Sequence, residues 1–179
     1  LDLLAKVVQY ASLDLIKLLL NHDFFSWVTV DGMIGFINDM PTTKSKRQDI
    51  LGLFCAYLYA KEHGFSIADL TNLNSEGHTP LSKLMLTESW DGKTEFLIDH
   101  LVMHGANINQ LTLYGLDVLY FLTNNPKIRN GSEVFVNLMK NGFILREHHL
   151  DYKGKLSENF YLKIQCLYFI QKNHISGNK

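Results

Sequence analysis

The sequence has no long apolar run, few cysteines and almost no net charge. Without a run of about eighteen apolar residues, no segment is expected to cross a bilayer. Cys55 and Cys166, the two cysteines, each lie in an apolar helix-like run, which predicts buried thiols in a reducing, cytoplasmic setting. The formal net charge of -1 gives no electrostatic reason to expect a nucleic-acid partner.

The short motifs of common enzymes are also missing. GxSxG, HExxH, GxxxxGK[ST] and paired CxxC motifs do not occur, and neither cysteine has the polar surroundings of a reactive thiol. We therefore predict no catalytic, cofactor-binding or metal site. His148–His149 leaves a metal site open, although adjacent loop histidines are more often solvated. Lys44–Arg47 is interpreted as a basic loop, either a solvated linker or an anion-docking or phosphorylation site.

Residues 77–105 contain the residue types that start and end a pair of helices. A glycine permits a tight turn, a threonine caps a helix, a proline suits the first helical position and a final glycine closes a helix. The stretch is predicted to form turn, short helix, loop, longer helix and glycine stop, marked by Gly77, Thr79–Pro80, residues 87–93, Thr94 and Gly105.

The same marks recur along the chain at intervals of about 40 residues, which indicates stacked repeats. Helix stops are predicted at NHD (21–23), EHG (62–64), MHG (103–105) and KNG (140–142), and starts at VDG (30–32), SEG (75–77), LYG (113–115) and YKG (152–154). His22, His63 and His104 fall at equivalent stops. There an imidazole can bond the last carbonyls, and its charged form favours the negative helix pole.

The stretch GHTPLS (77–82) resembles the Gly-x-Thr-Pro-Leu-His opening of an ankyrin repeat, and LVMHGANIN (101–109) resembles its Leu-Leu-x-x-Gly-Ala-x-Val-Asn close. Other repeats are degenerate: GLDVLY (115–120) has Asp117 for threonine. The resemblance implies an all-α solenoid of stacked helix-turn-helix repeats joined by hairpin-like loops. It makes one domain with approximate repeats at 1–31, 32–74, 75–112, 113–151 and 152–179, the last partial or capping.

Three details depart from or extend the resemblance. The repeats exceed the usual length of roughly 33 residues, and the excess is assigned to inter-helix loops at 41–47, 87–93 and 124–131. Residues 158–173 are apolar most of the way round. We favour an inner helix without its outer partner there, and a segment joined to a further domain is the alternative. Asn109 matches an asparagine that hydroxylases modify in some ankyrin repeats, but a structural role in tying its hairpin is favoured.

The resemblance also implies a binding surface, because hairpin tips and inner-helix ends line one concave face. Carried over, the positions are Ser75, Glu76, His78, Leu86 and Thr87 in one repeat, Leu113, Tyr114, Leu116, Asn124 and Asn125 in the next, and Tyr152 and Lys153 in the last. The tip QLTLYGL (110–116), which includes Leu111, is unusually apolar. It predicts either a contact site or side chains folded back on the core. Trp90 is a second exposed aromatic, or else it covers its own helix pair.

These observations predict a non-enzymatic, monomeric module that docks a protein partner, with no cofactor, no nucleic acid and no membrane span. The alternative is a regulatory or substrate-recruiting segment of a larger enzyme or effector. The first residues lack an initiator Met and a signal-peptide layout, so a fragment is expected. Degenerate repeats and a Lys/Asn-rich composition suggest a bacterial effector or viral host-range protein, which would place the chain in the host-cell cytoplasm.

Overall fold

The predicted all-α class is confirmed. The computed structural model describes residues 6, 9–22, 37, 43–86, 92–128, 131–152 and 156–176, and within these ranges it contains no β-strand. In chain order the helices are α1 (Leu13–Asn21), α2 (Lys44–Glu62), α3 (Pro80–Leu84), α4 (Gly92–Met103), α5 (Val118–Asn124), α6 (Gly131–Lys140), a 3₁₀ helix (Glu147–Tyr152) and α7 (Glu158–Ser176). None of the described helices is both long enough and apolar enough to cross a membrane.

The helices contact one another in two rows. In the first row α1 packs against α2, α2 against α4, and α4 against α6; in the second row α3 packs against α5. The rows are joined because α3 also contacts α4, and α5 contacts α6. One apolar core runs through the whole array. Its fully buried members include one side chain from each first-row helix, namely Ile16, Leu53, Ile98 and Phe135.

The helix pair over residues 77–105 is largely as predicted. Thr79 Oγ1 accepts from the Ser82 N–H (3.0 Å), and Ser82 Oγ accepts from the Thr79 N–H (2.9 Å), a reciprocal cap with Pro80 at the first helical position. The prediction for Thr94 was wrong: α4 begins at Gly92, so Thr94 is a buried residue inside its first turn.

The predicted stops coincide with the helix ends. Helices α1, α2, α4 and α6 each end at the first residue of their stop triplet. After α2, α4 and α6 a glycine of positive φ follows, and the next residue donates its N–H to the carbonyl five residues earlier, at 2.7, 2.9 and 3.1 Å. This is the Schellman arrangement, which satisfies carbonyls that a helix end leaves unpaired.

The basic cluster Lys44–Arg47 is the first turn of α2, which corrects its prediction as a loop. Thr43 caps this helix, its Oγ1 accepting from the Lys46 N–H (3.3 Å). The Lys46 ammonium donates to the Gln9 carbonyl (2.8 Å), so the cluster helps to join α2 to the segment before α1. The loop expected over 41–47 therefore ends at Thr43, and the loop expected over 87–93 ends before Gly92.

Helix α7 is longer than the second-row helices, with 19 residues against five in α3 and seven in α5. It buries only one stripe, around Phe160 and Ile164, and packs against the 3₁₀ helix. The apolar run in the sequence hid this asymmetry. Roughly half-exposed apolar side chains lie elsewhere on α7, namely Leu162, Phe169 and Ile170.

The two cysteines occupy different environments. Cys55 on α2 is half-buried, and burial raises the pKa of its thiol. Cys166 on α7 is exposed, so the prediction of a buried thiol was wrong there.

Candidate functional site

Two hairpin tips with the same backbone pattern precede the second-row helices. We call residues 74–78 the first tip and residues 112–116 the second tip. In each tip the N–H of the first residue donates to the carbonyl of the last (3.0 and 2.9 Å), and the glycine N–H donates to the carbonyl of the first residue (2.9 and 3.0 Å). Gly77 and Gly115 have φ of 79° and 72°, a conformation that glycine adopts without strain.

The tips lie directly against each other. The Leu113 N–H donates to the Gly77 carbonyl (2.9 Å), and a Cβ built on Gly77 would lie 2.8 Å from the Cβ of Leu113. Gly77 is therefore required both for its backbone conformation and for the approach of the neighbouring tip. The second tip is fixed in position by these contacts.

The second tip presents apolar side chains to solvent. Leu113 is 71% exposed, Tyr114 67% and Leu111 39%, whereas Leu116 is half-buried against the core. The backbone hydrogen bonds hold the first two side chains outward, so they do not fold back onto the core. Their role in binding stays a prediction.

The first tip is polar and partly occupied by internal bonds. Ser75 and Glu76 are exposed. Lys83 donates to the Glu76 carboxylate at 2.5 Å, and this bond holds the pKa of Glu76 below its usual value. The His78 ring packs edge-on to Phe121 (5.5 Å between centroids), and burial with the nearby Lys83 charge lowers the pKa of His78. A neutral His78 is thus expected at pH 7.

The side chains predicted to bind a partner at the helix ends differ in their exposure and in their internal hydrogen bonds. Leu86 is 44% exposed. Asn124 is exposed, and its amide donates to the Tyr120 carbonyl (2.7 Å). Asn125 is half-buried and donates to the Met85 carbonyl (2.7 Å), which ties the loop after α5 to the end of α3. Asn125 is thus a structural link between layers.

One predicted contact residue was placed wrongly. Tyr152 is buried, with its ring centroid 5.9 Å from that of His149. Burial and the nearby Asp117 charge raise the pKa of Tyr152 to about 12. It therefore belongs to the interior. Thr87, Trp90 and Lys153 lie outside the described residues.

A buried Asp–His pair, which the sequence did not indicate, links α5 to the 3₁₀ helix. Asp117 Oδ2 lies 2.6 Å from His149 Nε2, and both side chains are almost fully buried. Asp117 Oδ1 also accepts the Tyr120 N–H (3.0 Å) as the N-cap of α5. Burial alone would raise the pKa of Asp117, but the hydrogen bonds from the His149 ring and the Tyr120 N–H act against it, and the net pKa is lowered.

His148 completes a cluster of possible metal ligands, with its Nε2 3.6 Å from Asp117 Oδ2. The tautomer of His149 argues against a metal there. Its Nδ1 accepts the Arg146 N–H (2.9 Å), so the ring proton is assigned to Nε2, where it is donated to Asp117. A metal on Nε2 would move that proton to Nδ1 and against the Arg146 N–H. The residues present therefore fit a hydrogen-bonded pair better than a metal centre.

The histidines at the predicted helix stops lie in different surroundings. The prediction that a charged imidazole favours the negative helix pole was wrong for His104. Its Nε2 is buried and has no hydrogen-bond partner among the residues that the structure describes. Burial, helped by the charges of Lys17 and His100, lowers the pKa of His104 to about 4. The cation at this helix end is Lys17 of α1, whose Nζ donates to the His104 carbonyl (3.0 Å).

Comparisons of the chain with models of known protein families, with curated proteins and with solved structures give no match. The function of the tip surface has to be argued from its geometry.

Proposed function

We propose that the chain is an ankyrin-like solenoid that docks a protein partner on its hairpin tips and the exposed ends of its second-row helices. Support for the solenoid comes from the two rows of serially packed helices and from the equal hairpins that precede α3 and α5. The reciprocal cap at Thr79–Ser82 is the local structure that the threonine-proline opening of such a repeat would form.

Bonds between successive loops give independent support. The Asn109 amide donates to the Gly142 carbonyl (2.9 Å), and its Oδ1 accepts the Ile144 N–H (2.8 Å). Asn109 thus joins the loop after α4 to the loop after α6, one layer further on. Repeated loops that are bonded along the stack would form the continuous rim that the proposal needs.

The observation that carries the docking proposal is the exposure of Leu113 and Tyr114 on a fixed tip. Holding these side chains in water is unfavourable, and covering them would recover part of that cost. Because the tip is already ordered by backbone bonds, a partner would lose less conformational entropy in binding it than in binding a flexible loop. Tyrosine is also frequent among the residues that dominate interface energies.

The test uses charge substitutions on matched apolar surfaces. Leu113→Asp with Tyr114→Asp alters the second tip, and Leu162→Asp with Phe169→Asp alters equally apolar, half-exposed positions on α7. We expect affinity purification from lysate, read by mass spectrometry, to retain a partner for the wild type and the α7 variant and to lose it for the tip variant. Thermal melting is expected to stay close to that of the wild type.

Two results would contradict the docking proposal. Equal capture by wild type and tip variant would remove the tip from the interface. A collapsed melt for the tip variant would show that Leu113 and Tyr114 serve the fold. Tyr114→Asp alone separates these effects, because Leu113 is the residue that packs on Gly77.

A further inference from the structure

We infer that His100 and His104 form an acid-sensitive latch, in which protonation of either imidazole loosens α4 from α1 and α2. The two side chains lie one turn apart on α4 with their rings nearly parallel, 23° between planes and 6.1 Å between centroids. This inference concerns the stability of the array and does not depend on the proposed docking function.

The His100 side chain packs between α4 and α2. It is 6% exposed, and a Cβ built on Gly52 would lie 2.0 Å from its Cε1, so the ring rests on the α2 backbone. On its own helix the ring also contacts Phe96 (4.3 Å between centroids). Its Nδ1 is buried, and no described residue forms a hydrogen bond with it. Protonation would place an N–H there with no acceptor, which is costly in a buried site.

His104 lies at the end of α4 that is next to α1. Its buried Nε2 likewise has no hydrogen-bond partner in the described part of the chain. The Lys17 ammonium already sits at this end, bonded to the His104 carbonyl. A charged His104 would therefore face a cation from α1 as well as an unsatisfied N–H. A charged His100 also disfavours the charged form of His104.

Carboxylates partly oppose these effects. Asp49 of α2 attracts a proton to both rings, and Asp99 of α4 attracts one to His100. The Asp99 Oδ1 accepts from the amide of Asn137 on α6 (3.0 Å) and from the amide of Asn141, the residue after that helix ends (2.7 Å). Burial outweighs both carboxylates, and the pKa of each histidine is lowered, that of His104 to about 4.

The sign of the pH effect follows from that shift. An unfolded histidine titrates near 6.5 and His104 in the fold near 4, so the fold favours the neutral ring. The stabilising contribution is complete above pH 6.5 and is lost as the pH falls through 6.5 toward 4. At pH 4.5 a single group with this shift would change the equilibrium between closed and open α4 by about 80-fold, which solvent screening of a half-buried ring reduces to about ten-fold.

The test is hydrogen–deuterium exchange of the full chain at pH 7 and pH 4.5, corrected for intrinsic exchange rates. We expect amides of α4 to lose protection by about ten-fold at pH 4.5, with a smaller loss in α5 and α6. His100→Phe with His104→Phe keeps two rings and removes both titrations, so its α4 protection should not change with pH. His22→Gln is the matched control, because His22 is an exposed histidine at an equivalent helix end.

Several results would overturn the latch. They are an unchanged α4 protection in the wild type, a double variant that still loses protection in acid, and a His22 variant that behaves like the double variant. If the phenylalanine pair lowers the pH 7 melt, His100→Gln with His104→Gln replaces it, and the same pH comparison decides. Proton NMR adds a direct readout, because a His104 ring that titrates near 6.5 in the folded chain would also refute the latch.

Discussion

Removal of the Asp117 carboxylate tests the buried Asp–His pair, and we expect Asp117→Ala to be strongly destabilising. The substitution deletes the N-cap of α5, worth about 1 kcal/mol. It also leaves the Nε2–H of His149 buried without an acceptor, at a cost of about 1–3 kcal/mol. The expected loss of unfolding free energy is about 2–4 kcal/mol, which for a chain of this size lowers Tm by roughly 5–15 °C.

The assay is urea and thermal denaturation at pH 7, followed by far-ultraviolet circular dichroism. Asp117→Ser is the control, because a serine can still cap α5 but cannot reach His149 as the longer aspartate does. It should retain about 1 kcal/mol more stability than Asp117→Ala. An Asp117→Ala variant whose free energy of unfolding lies within about 0.5 kcal/mol of the wild-type value would refute the reasoning, because surface substitutions without structural consequence fall in that range.

The same pair predicts a contribution to acid lability. The fold lowers the pKa of Asp117 below its ordinary value of 3.8. The stability it adds is therefore complete above pH 3.8 and is lost as the pH falls through the lower, folded pKa. An acid titration of the Asp117→Ser variant should lack this component, and an identical acid transition in the two proteins would contradict it.

Three further predictions concern other contacts. Gly52→Ala should cost about 1–2 kcal/mol by denaturation, because overpacking against His100 exceeds the gain in helix propensity; full stability in the variant would contradict the packing. Asn109→Ala should cost about 1–2 kcal/mol through two lost inter-layer bonds, and Asn109→Asp, which keeps one acceptor, should lose less. Ellman's reagent at pH 7 should label Cys166 faster than Cys55, and equal rates would place one thiol wrongly.

Turns, helix caps and helix stops could be predicted from the sequence, because each depends on a few neighbouring residues. The roles of Gly77, Thr79 and Pro80 follow from their residue types alone, and each residue has its predicted role in the structure. The four helix stops were predicted for the same reason. Thr94 shows the limit, since a threonine can cap a helix or lie inside one, and only the preceding residues decide which.

Contacts between distant residues could not be predicted. Asp117 was noted only as a departure from threonine, and nothing local indicated that its other oxygen would accept from a residue 32 positions later. The sequence predicts a loop at Lys44–Arg47 because charged clusters are usually solvated. A helix can expose such a cluster on its first turn, as α2 does. Cys166 was misplaced because an apolar run does not show which side of α7 meets the core.

The serial order of the first-row helices bears on how the chain folds. Helices α1, α2, α4 and α6 meet in the order in which they occur, so each helix packs on the next one of its row. In the solenoid proposed above, assembly would start at an adjacent pair of helices and spread in both directions, one neighbour at a time.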